Sequence, residues 1–562
     1  MYSFKVIARF WEIKKGYVIS VIFGKLKDIP RPLLSALYMK YLIDCLTQKA
    51  NFWHLFSFLF LFLLFEIFFC CYDSWANIKY KSKAQEEISK TLMTKYLQTI
   101  SKVPLKYFED QEFCNKNSLA TNELVETYFS LFNYCIDLIT NVLSMITLAI
   151  YIFSISKIII VTSFAIFFFY LFFNHKINQL KLEQQKDMIP IERQKGYFAS
   201  LLNHYDGVKN VRVYSAENFF IDKWNENANK VIQVIQKFSR KLFIYSNFDG
   251  GIFAFFEYSI TLYIAYITWL GRISVGTFSA LTQSFFSFLS QMQRSSEIVI
   301  NMNKCSNYFK IIEEVDSYAS KKDPAEQKVF LDKNQPFEVE IKQLSFAYVN
   351  SKRKILNNLS LKVKQNEKIA IVGENGSGKS TLLHLLLRLY EPPDQTIFIN
   401  GMDSKNYNLE DFRTNFAVVL QNQENYSLTV AENVFLKNSK KMDEKKVEAA
   451  LKFSQLHQKI FSQKEGVSSM ITKRFVNHGV ALSGGENQKL NLSRFFNQEA
   501  KILILDEYER WLDHQSEKKI FENLLTFSKN KILMIITHNE KILSAMDRVY
   551  VLKNGILKER KF

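Results

Sequence analysis

The sequence predicts an all-α transmembrane domain of six spanning helices with long cytoplasmic helical extensions, followed by an α/β domain built around a phosphate-binding loop. Three observations predict it. Residues 1–310 hold long Phe, Ile and Leu runs while 330–562 read as an ordinary soluble domain, so the mean hydropathy of −0.08 averages two unlike halves. Short turns and long polar stretches alternate between the apolar runs. A strand-like run at 368–372 leads straight into a glycine-rich loop and an apolar helix.

A chain of 562 residues has length for more than one domain. Its 51 Phe, with only 8 Pro and 17 Gly, exclude a disordered, collagen-like or low-complexity protein. Cys45, Cys70, Cys71, Cys114, Cys135 and Cys305 show no CxxC pair, which argues for scattered thiols and against a disulfide framework or zinc site. The first apolar run, Gly16–Gly24, is followed by Lys-Leu-Lys-Asp, which is no signal-peptide cleavage site. The net charge of +18 comes from 73 Lys+Arg against 55 Asp+Glu, distributed as the cytoplasmic Lys/Arg excess of a membrane protein; no nucleic-acid partner is expected.

Spans are expected at about 16–47, 53–75, 127–152, 158–175, 248–270 and 276–301, since roughly 20 apolar residues cross a ~30 Å hydrocarbon layer. Residues 1–315 form the membrane domain, 316–335 a linker and 336–562 the soluble domain. The long polar stretches 76–126 and 176–247 are dense in Lys and Arg. The turns near Lys49, Lys157 and Arg272 are short, so both termini, the extensions and the soluble domain are expected in the cytoplasm of an integral membrane protein. Usage rich in Lys, Asn, Phe and Ile suggests a bacterial cell membrane.

Span one carries Lys25, Lys27, Asp28 and Arg31 with Pro30 and Pro32, so it extends beyond the layer or bends at the prolines. Glu66 in span two lies at comparable depth. Asn133, Asp137, Asn141 and Ser144 share one face of span three; Gln283, Ser287, Ser290, Gln291 and Arg294 share one face of span six. Two readings stay open: ion pairs and amides that fix helix packing, or a wet substrate cavity whose basic lining attracts acidic cargo. In the second, the cavity is lined by Lys25, Lys27, Arg31, Glu66, Asn133, Asp137, Asn141, Gln283, Ser287, Gln291 and Arg294.

In the soluble half, Lys368–Val372 runs into Gly373-Glu-Asn375-Gly376-Ser377-Gly378-Lys379-Ser380-Thr381 and an apolar helix, Leu382–Leu389. This G-x-x-x-x-G-K-[ST] pattern wraps phosphate in backbone N–H groups at a helix N-terminus. Lys379 is expected on the β/γ-phosphates of ATP and Ser380 on Mg²⁺. A second buried strand, Lys501–Leu505, ends in Asp506, a Mg²⁺ ligand directly or through water, and Glu507, which can polarise the attacking water.

With these motifs the chain resembles the ATP-binding cassette (ABC) family. Leu482-Ser483-Gly484-Gly485-Glu486 is similar to its signature, Gln421 to the Q-loop glutamine that also reaches Mg²⁺, His538 to the switch histidine, Asp513 to the D-loop aspartate and Tyr348 to the aromatic that stacks on adenine. The resemblance implies an α/β P-loop ABC ATPase domain behind an exporter-type membrane domain, with coupling helices near 106–118 and 204–216. It also implies that the signature of one subunit closes on the other's ATP. The chain would then be a half-transporter that pairs with a second subunit, a homodimer being favoured by the complete catalytic set of Glu507, His538 and Gln421, and a heterodimer staying open.

The sequence departs from the family at Glu486, usually Gln; at Tyr508-Glu509, usually Pro-Thr/Ser; at Trp511; and at Asn477, where exporters carry Glu. The exported substrate is expected to be a modified peptide such as a bacteriocin or lantibiotic. Multidrug or lipid export (a flippase) and an ATP-gated sensor or channel are the alternatives. With the first span starting near residue 16, no leader-cleaving peptidase domain is expected ahead of it.

Overall fold

The structure, a computed structural model, describes residues 2–48, 52–320, 329–332, 335–348, 353–421, 423–436, 443–472, 476 and 478–560. It divides into two compact units, Met1–Val103 with Gln111–Ser320, and Pro104–Asp110 with Lys321–Phe562.

The first unit is helical. α1 (Tyr2–Lys25) departs from helical geometry at Lys14, and a 3-10 turn at Leu26–Asp28 separates it from α2 (Arg31–Gln48). Span one is therefore broken where Pro30 withholds an amide donor, and Pro32 sits in the first turn of α2, where no donor is needed. α3 (Phe52–Ala76) passes through a π-turn at Asn77–Lys81 into α4 (Ser82–Ile100). The short α5 (Leu105–Phe108) belongs to the second unit. Five helices follow in the first unit: α6 (Gln111–Ile155), α7 (Lys157–Asn203) and α9 (Glu217–Trp269), with α8 (Tyr205–Val213) between the last two, and then α10 (Val275–Ser320). At 1.5 Å per residue, helices of 45 to 53 residues reach about 70–80 Å, more than twice a hydrocarbon layer.

By length and composition, four stretches among the described residues can cross a membrane: Leu55–Ile100, Gln111–Ile155, Lys157–Asn203 and Glu217–Trp269. The expected spans 16–47 and 276–301 fall on α1–α2 and on α10, whose break, charges and amides keep them below that measure. On α7, Ile158, Val161, Phe164, Phe168 and Phe172 are exposed along one helical face, while Ile159, Ser163 and Ile166 are buried on another. The buried face joins Leu148 and Ile152 of α6, Ile260 and Ile264 of α9, and Phe285 and Phe288 of α10 in one core. Helix α10 continues through the first residues of the expected linker to Ser320; residues 321–328 and 333–334 lie outside the described set. Of the expected coupling helices, 106–118 divides between α5 and the start of α6, and α8, at Tyr205–Val213, lies within 204–216.

The second unit holds two sheets. Strands β1 (Glu338–Phe346), β2 (Leu356–Lys364), β4 (Ile397–Ile399) and β5 (Met402–Asp403) form an antiparallel sheet in the order β2-β1-β4-β5; β3 (Lys368–Val372) lies between β2 and β4 in the chain. β3 joins β6 (Phe416–Val419), β7 (Ile502–Asp506), β8 (Ile532–Ile536), β9 (Arg548–Lys553) and β10 (Ile556–Arg560) in a sheet ordered β10-β9-β3-β8-β7-β6. All neighbours there are parallel except β10 on β9. β7 and β8 are buried along their whole length, as strands covered on both faces must be, so their Ile/Leu runs do not alternate. The helices are α11 (Lys379–Leu386), α12 (Leu409–Thr414), α13 (Val430–Phe435), α14 (Glu444–Phe453), α15 (His457–Phe461), α16 (Gly484–Phe496), α17 (His514–Phe527) and α18 (Glu540–Leu543). Helices α13, α14 and α15 gather around Leu490 of α16 in a core of their own.

Candidate functional site

The glycine-rich loop lies between β3 and α11, at the C-terminal edge of the parallel sheet. Gly378 caps α11 with φ +108°, and a Cβ there would meet Leu356 at 2.8 Å; at Gly373 a Cβ would meet the Leu552 carbonyl oxygen at 2.4 Å. Only glycine leaves this backbone open to a phosphate. The Ser377 hydroxyl is buried in the loop without a hydrogen-bond partner, a donor to spare inside a phosphate cradle. Lys379, 8% exposed, folds across the loop and donates to the Gly373 carbonyl and, at 3.2 Å, to that of Glu374. Asn375 and Gly376 form the exposed rim, Ser380 is exposed on the first turn of α11, and Thr381 is buried with its hydroxyl 3.1 Å from that of Tyr348. Tyr348 is half-buried and meets Tyr390 edge-on, ring centroids 5.2 Å apart.

Asp506 closes β7 at 5% exposure, and burial with the neighbouring Glu507 carboxylate pushes its carboxyl up to about 6 against the pull of Lys379. Glu507 has φ +44°, an uncommon left-handed conformation for glutamate, secured by its N–H to the Ile536 carbonyl at 2.9 Å. This turn brings its carboxylate to Gln421, 86 residues away, whose amide donates to Oε2 at 2.6 Å. The Ser380 hydroxyl, the Asp506 carboxylate and the Gln421 amide oxygen are all hard oxygen donors. Such a set fits Mg²⁺, which takes one or two protein carboxylates together with substrate phosphates. His538 is exposed just beyond β8.

The signature region is a helix start. Ser483 caps α16, its hydroxyl accepting the Glu486 N–H at 3.3 Å, and Glu486 Oε2 accepts the Ser483 N–H at 2.8 Å. This is a reciprocal capping box, a role open to Glu and Gln alike, which accounts for the tolerance of Glu486. The bonds to Ser483 hold the Glu486 carboxyl below its usual range, and Lys459 adds an ion pair at 3.3 Å. Trp511 packs on this turn: a Cβ on Gly484 would lie 3.7 Å from its ring, and one on Gly485 2.6 Å from its carbonyl oxygen. Asp513 caps α17 through the Ser516 N–H at 2.9 Å, and hydrogen bonds from the Ser516 hydroxyl and then from this N–H hold its carboxyl below the usual range. Tyr508 is wholly buried in the sheet's second core, and Glu509, raised by burial, accepts from Thr537 next to His538. Asn477 lies outside the described residues.

Residues 356–509 match the ABC transporter family, and residues 20–295 the ABC transporter transmembrane region. The chain is an ABC transporter. Its ATP-binding domain is an ATPase domain fused to an integral membrane domain. The transporter is 31% identical to an ATP-dependent lipid A-core flippase of Vibrio vulnificus (strain CMCP6) over 223 residues, 40% of this chain and 38% of that protein. It therefore spans about two fifths of the length of that relative. It is 25% identical to the nisin transport ATP-binding protein NisT of Lactococcus lactis subsp. lactis over 555 residues, 97% of this chain and 90% of NisT. The subtilin transport ATP-binding protein SpaT of Bacillus subtilis is 25% identical over 488 residues, covering 85% and 77%. In fold, it superposes on a bacterial Atm1-family ABC exporter with ATP bound at a TM-score of 0.79 and 20% identity, covering 98% and 95% of the two chains.

In the transporter's membrane domain the polar residues meet one another. Lys25 pairs with Asp137 at 2.8 Å, Arg31 with Glu66 at 2.9 Å, and Lys27 with Asp73, which also lies 3.7 Å from Lys81. Asn141 donates at 2.7 Å to the Gln291 carbonyl and to Ser295, Gln291 donates to Ser144 at 3.1 Å, and Gln283 to Ser35 at 3.3 Å. Asn133 and Ser287 are half-buried, and Arg294 is exposed. Asp73 escaped the sequence analysis, although its spacing of two helical turns from Glu66 puts both on one face. Within the second unit, Glu109 of the segment after α5 accepts from the Tyr390 hydroxyl, and Tyr390 also stacks on His384 with centroids 5.8 Å apart.

Proposed function

We propose that this chain is one half of an ATP-driven exporter of the bacterial cell membrane, working as a homodimer with its termini and ATPase domains in the cytoplasm. The observation that carries the reading is the Gln421–Glu507 contact beside a buried Asp506 and a phosphate cradle. Backbone N–H groups of Gly376–Thr381 and the Lys379 ammonium hold the ATP phosphates; Ser380, Asp506 and Gln421 would hold Mg²⁺, which neutralises phosphate charge when bound. Glu507, fixed by Gln421, orients and polarises the attacking water, and His538 supports the transferring phosphoryl group. Tyr348 takes the adenine. Ser483, Gly484, Gly485 and Glu486, with Asp513, serve the nucleotide of the partner subunit. Closure of the two ATPase domains would pass through α5 and α8 to the membrane helices.

For cargo, the reading supported best is a modified peptide of the lantibiotic class. It rests on likeness to the nisin and subtilin transport proteins along 97% and 85% of the chain, whereas the flippase likeness covers 40%. Lipid export is the second reading, supported by the higher identity of that shorter match. The test is ATP hydrolysis by the purified chain in lipid, with Glu507→Gln as control. Turnover at least 100-fold lower in the variant, with ATP binding retained, is expected. ATP binding without turnover in the unaltered chain would refute a self-sufficient pump and point to a second subunit or a gate.

A further inference from the structure

Between α7 and α10 lies a cleft of about 700 Å³, a volume suited to a small amphiphile. Its wall changes character along its length. Phe167 and Leu171 stand in the apolar run of α7 that ends at Phe173, with Val299 and Ile300 facing them from α10; beyond come Lys181 and Lys304, among amides. The cleft therefore straddles the level at which both helices turn from apolar to polar, as a bilayer turns from hydrocarbon to headgroup. No carboxylate among the described residues lines it. Lys25, Lys27 and Arg31 are each neutralised by an acidic side chain, whereas Lys181 and Lys304 make no ion pair or hydrogen bond with any described residue.

We propose that this cleft binds an anionic glycerophospholipid of the surrounding bilayer, an acyl chain lying against Phe167, Leu171 and Val299 and the phosphate meeting Lys181 and Lys304. Two ammonium groups that pair with no carboxylate among the described residues are complementary to a phosphate, and apolar side chains below them to its tail. The inference goes beyond the export reading and rests only on the chain's membrane embedding.

The test uses the full chain in phosphatidylcholine nanodiscs with trace spin-labelled phosphatidylglycerol or spin-labelled phosphatidylcholine. At least tenfold preference for phosphatidylglycerol is expected. The double variant Lys181→Gln/Lys304→Gln should lower it at least fivefold, while Lys195→Gln/Lys209→Gln, of equal charge change outside the cleft, should not. Val299→Trp, which fills the apolar end and keeps both charges, should also displace the lipid, so the idea stays testable should the double variant fail to fold. Unchanged preference in Val299→Trp, or equal loss in the control pair, would overturn the site. Basal ATP hydrolysis, read in parallel, reports on the export function separately.

Discussion

Replacing Lys25 with Gln strands the Asp137 carboxylate, 19% exposed, without the ammonium that lies 2.8 Å from it. At an effective dielectric near 20 the lost attraction is about 6 kcal/mol, most of which is offset by water regained by each charge. Removing one partner of a fully buried pair costs about 3–5 kcal/mol; Lys25 is a third exposed, which screens the pair and brings the expected loss to about 2 kcal/mol. Thermal unfolding of the purified chain, followed by fluorescence, should show Lys25→Gln and Asp137→Asn each melting several degrees lower. The double variant should lie close to the unaltered protein, because no charge is then left alone. Additive losses in the double variant would refute a packing role for the pair. So would full stability of Lys25→Gln accompanied by loss of transport of acidic cargo, the outcome a basic substrate lining demands.

The capping box makes Glu486→Gln close to neutral in ATP turnover, while Glu486→Ala should cost about 1 kcal/mol of cassette stability in a urea melt. Gly485→Ala drives a methyl onto the Trp511 carbonyl, a backbone atom with nowhere to go; turnover should fall sharply, and Trp511→Ala in the same chain should not rescue it. Asp506, pushed up to about 6 from an ordinary 3.8, holds its proton more tightly folded than unfolded. Its contribution is therefore full below pH ~4 and lost as pH rises through about 6, in all about 3 kcal/mol. Asp506→Asn should flatten that part of the pH–stability profile and raise the melting point at pH 7 without nucleotide, while turnover is lost.

What the sequence alone determined is what a short stretch of chain encodes. The strand, the glycine loop and Lys379 follow one another within a dozen residues, and the phosphate cradle needs nothing more distant than neighbouring strands to support it. Asp506-Glu507 after four apolar residues is equally local, and Ser483-x-x-Glu486 already spells the capping box that explains the Glu of the signature. The break in span one at Pro30 was legible for the same reason. Tertiary structure decided the pairings. Nothing in the spacing of Gln421 and Glu507, 86 residues apart, says that they touch; that follows from β6 and β7 lying side by side and from the left-handed turn at Glu507. The basic residues of span one were visible, but whether they line a cavity or pair with Asp137, Asp73 and Glu66 depended on how three helices rotate and slide against one another. A slip of one residue turns a side chain by about 100° around a helix axis, so local periodicity can name the face and cannot choose the partner across it.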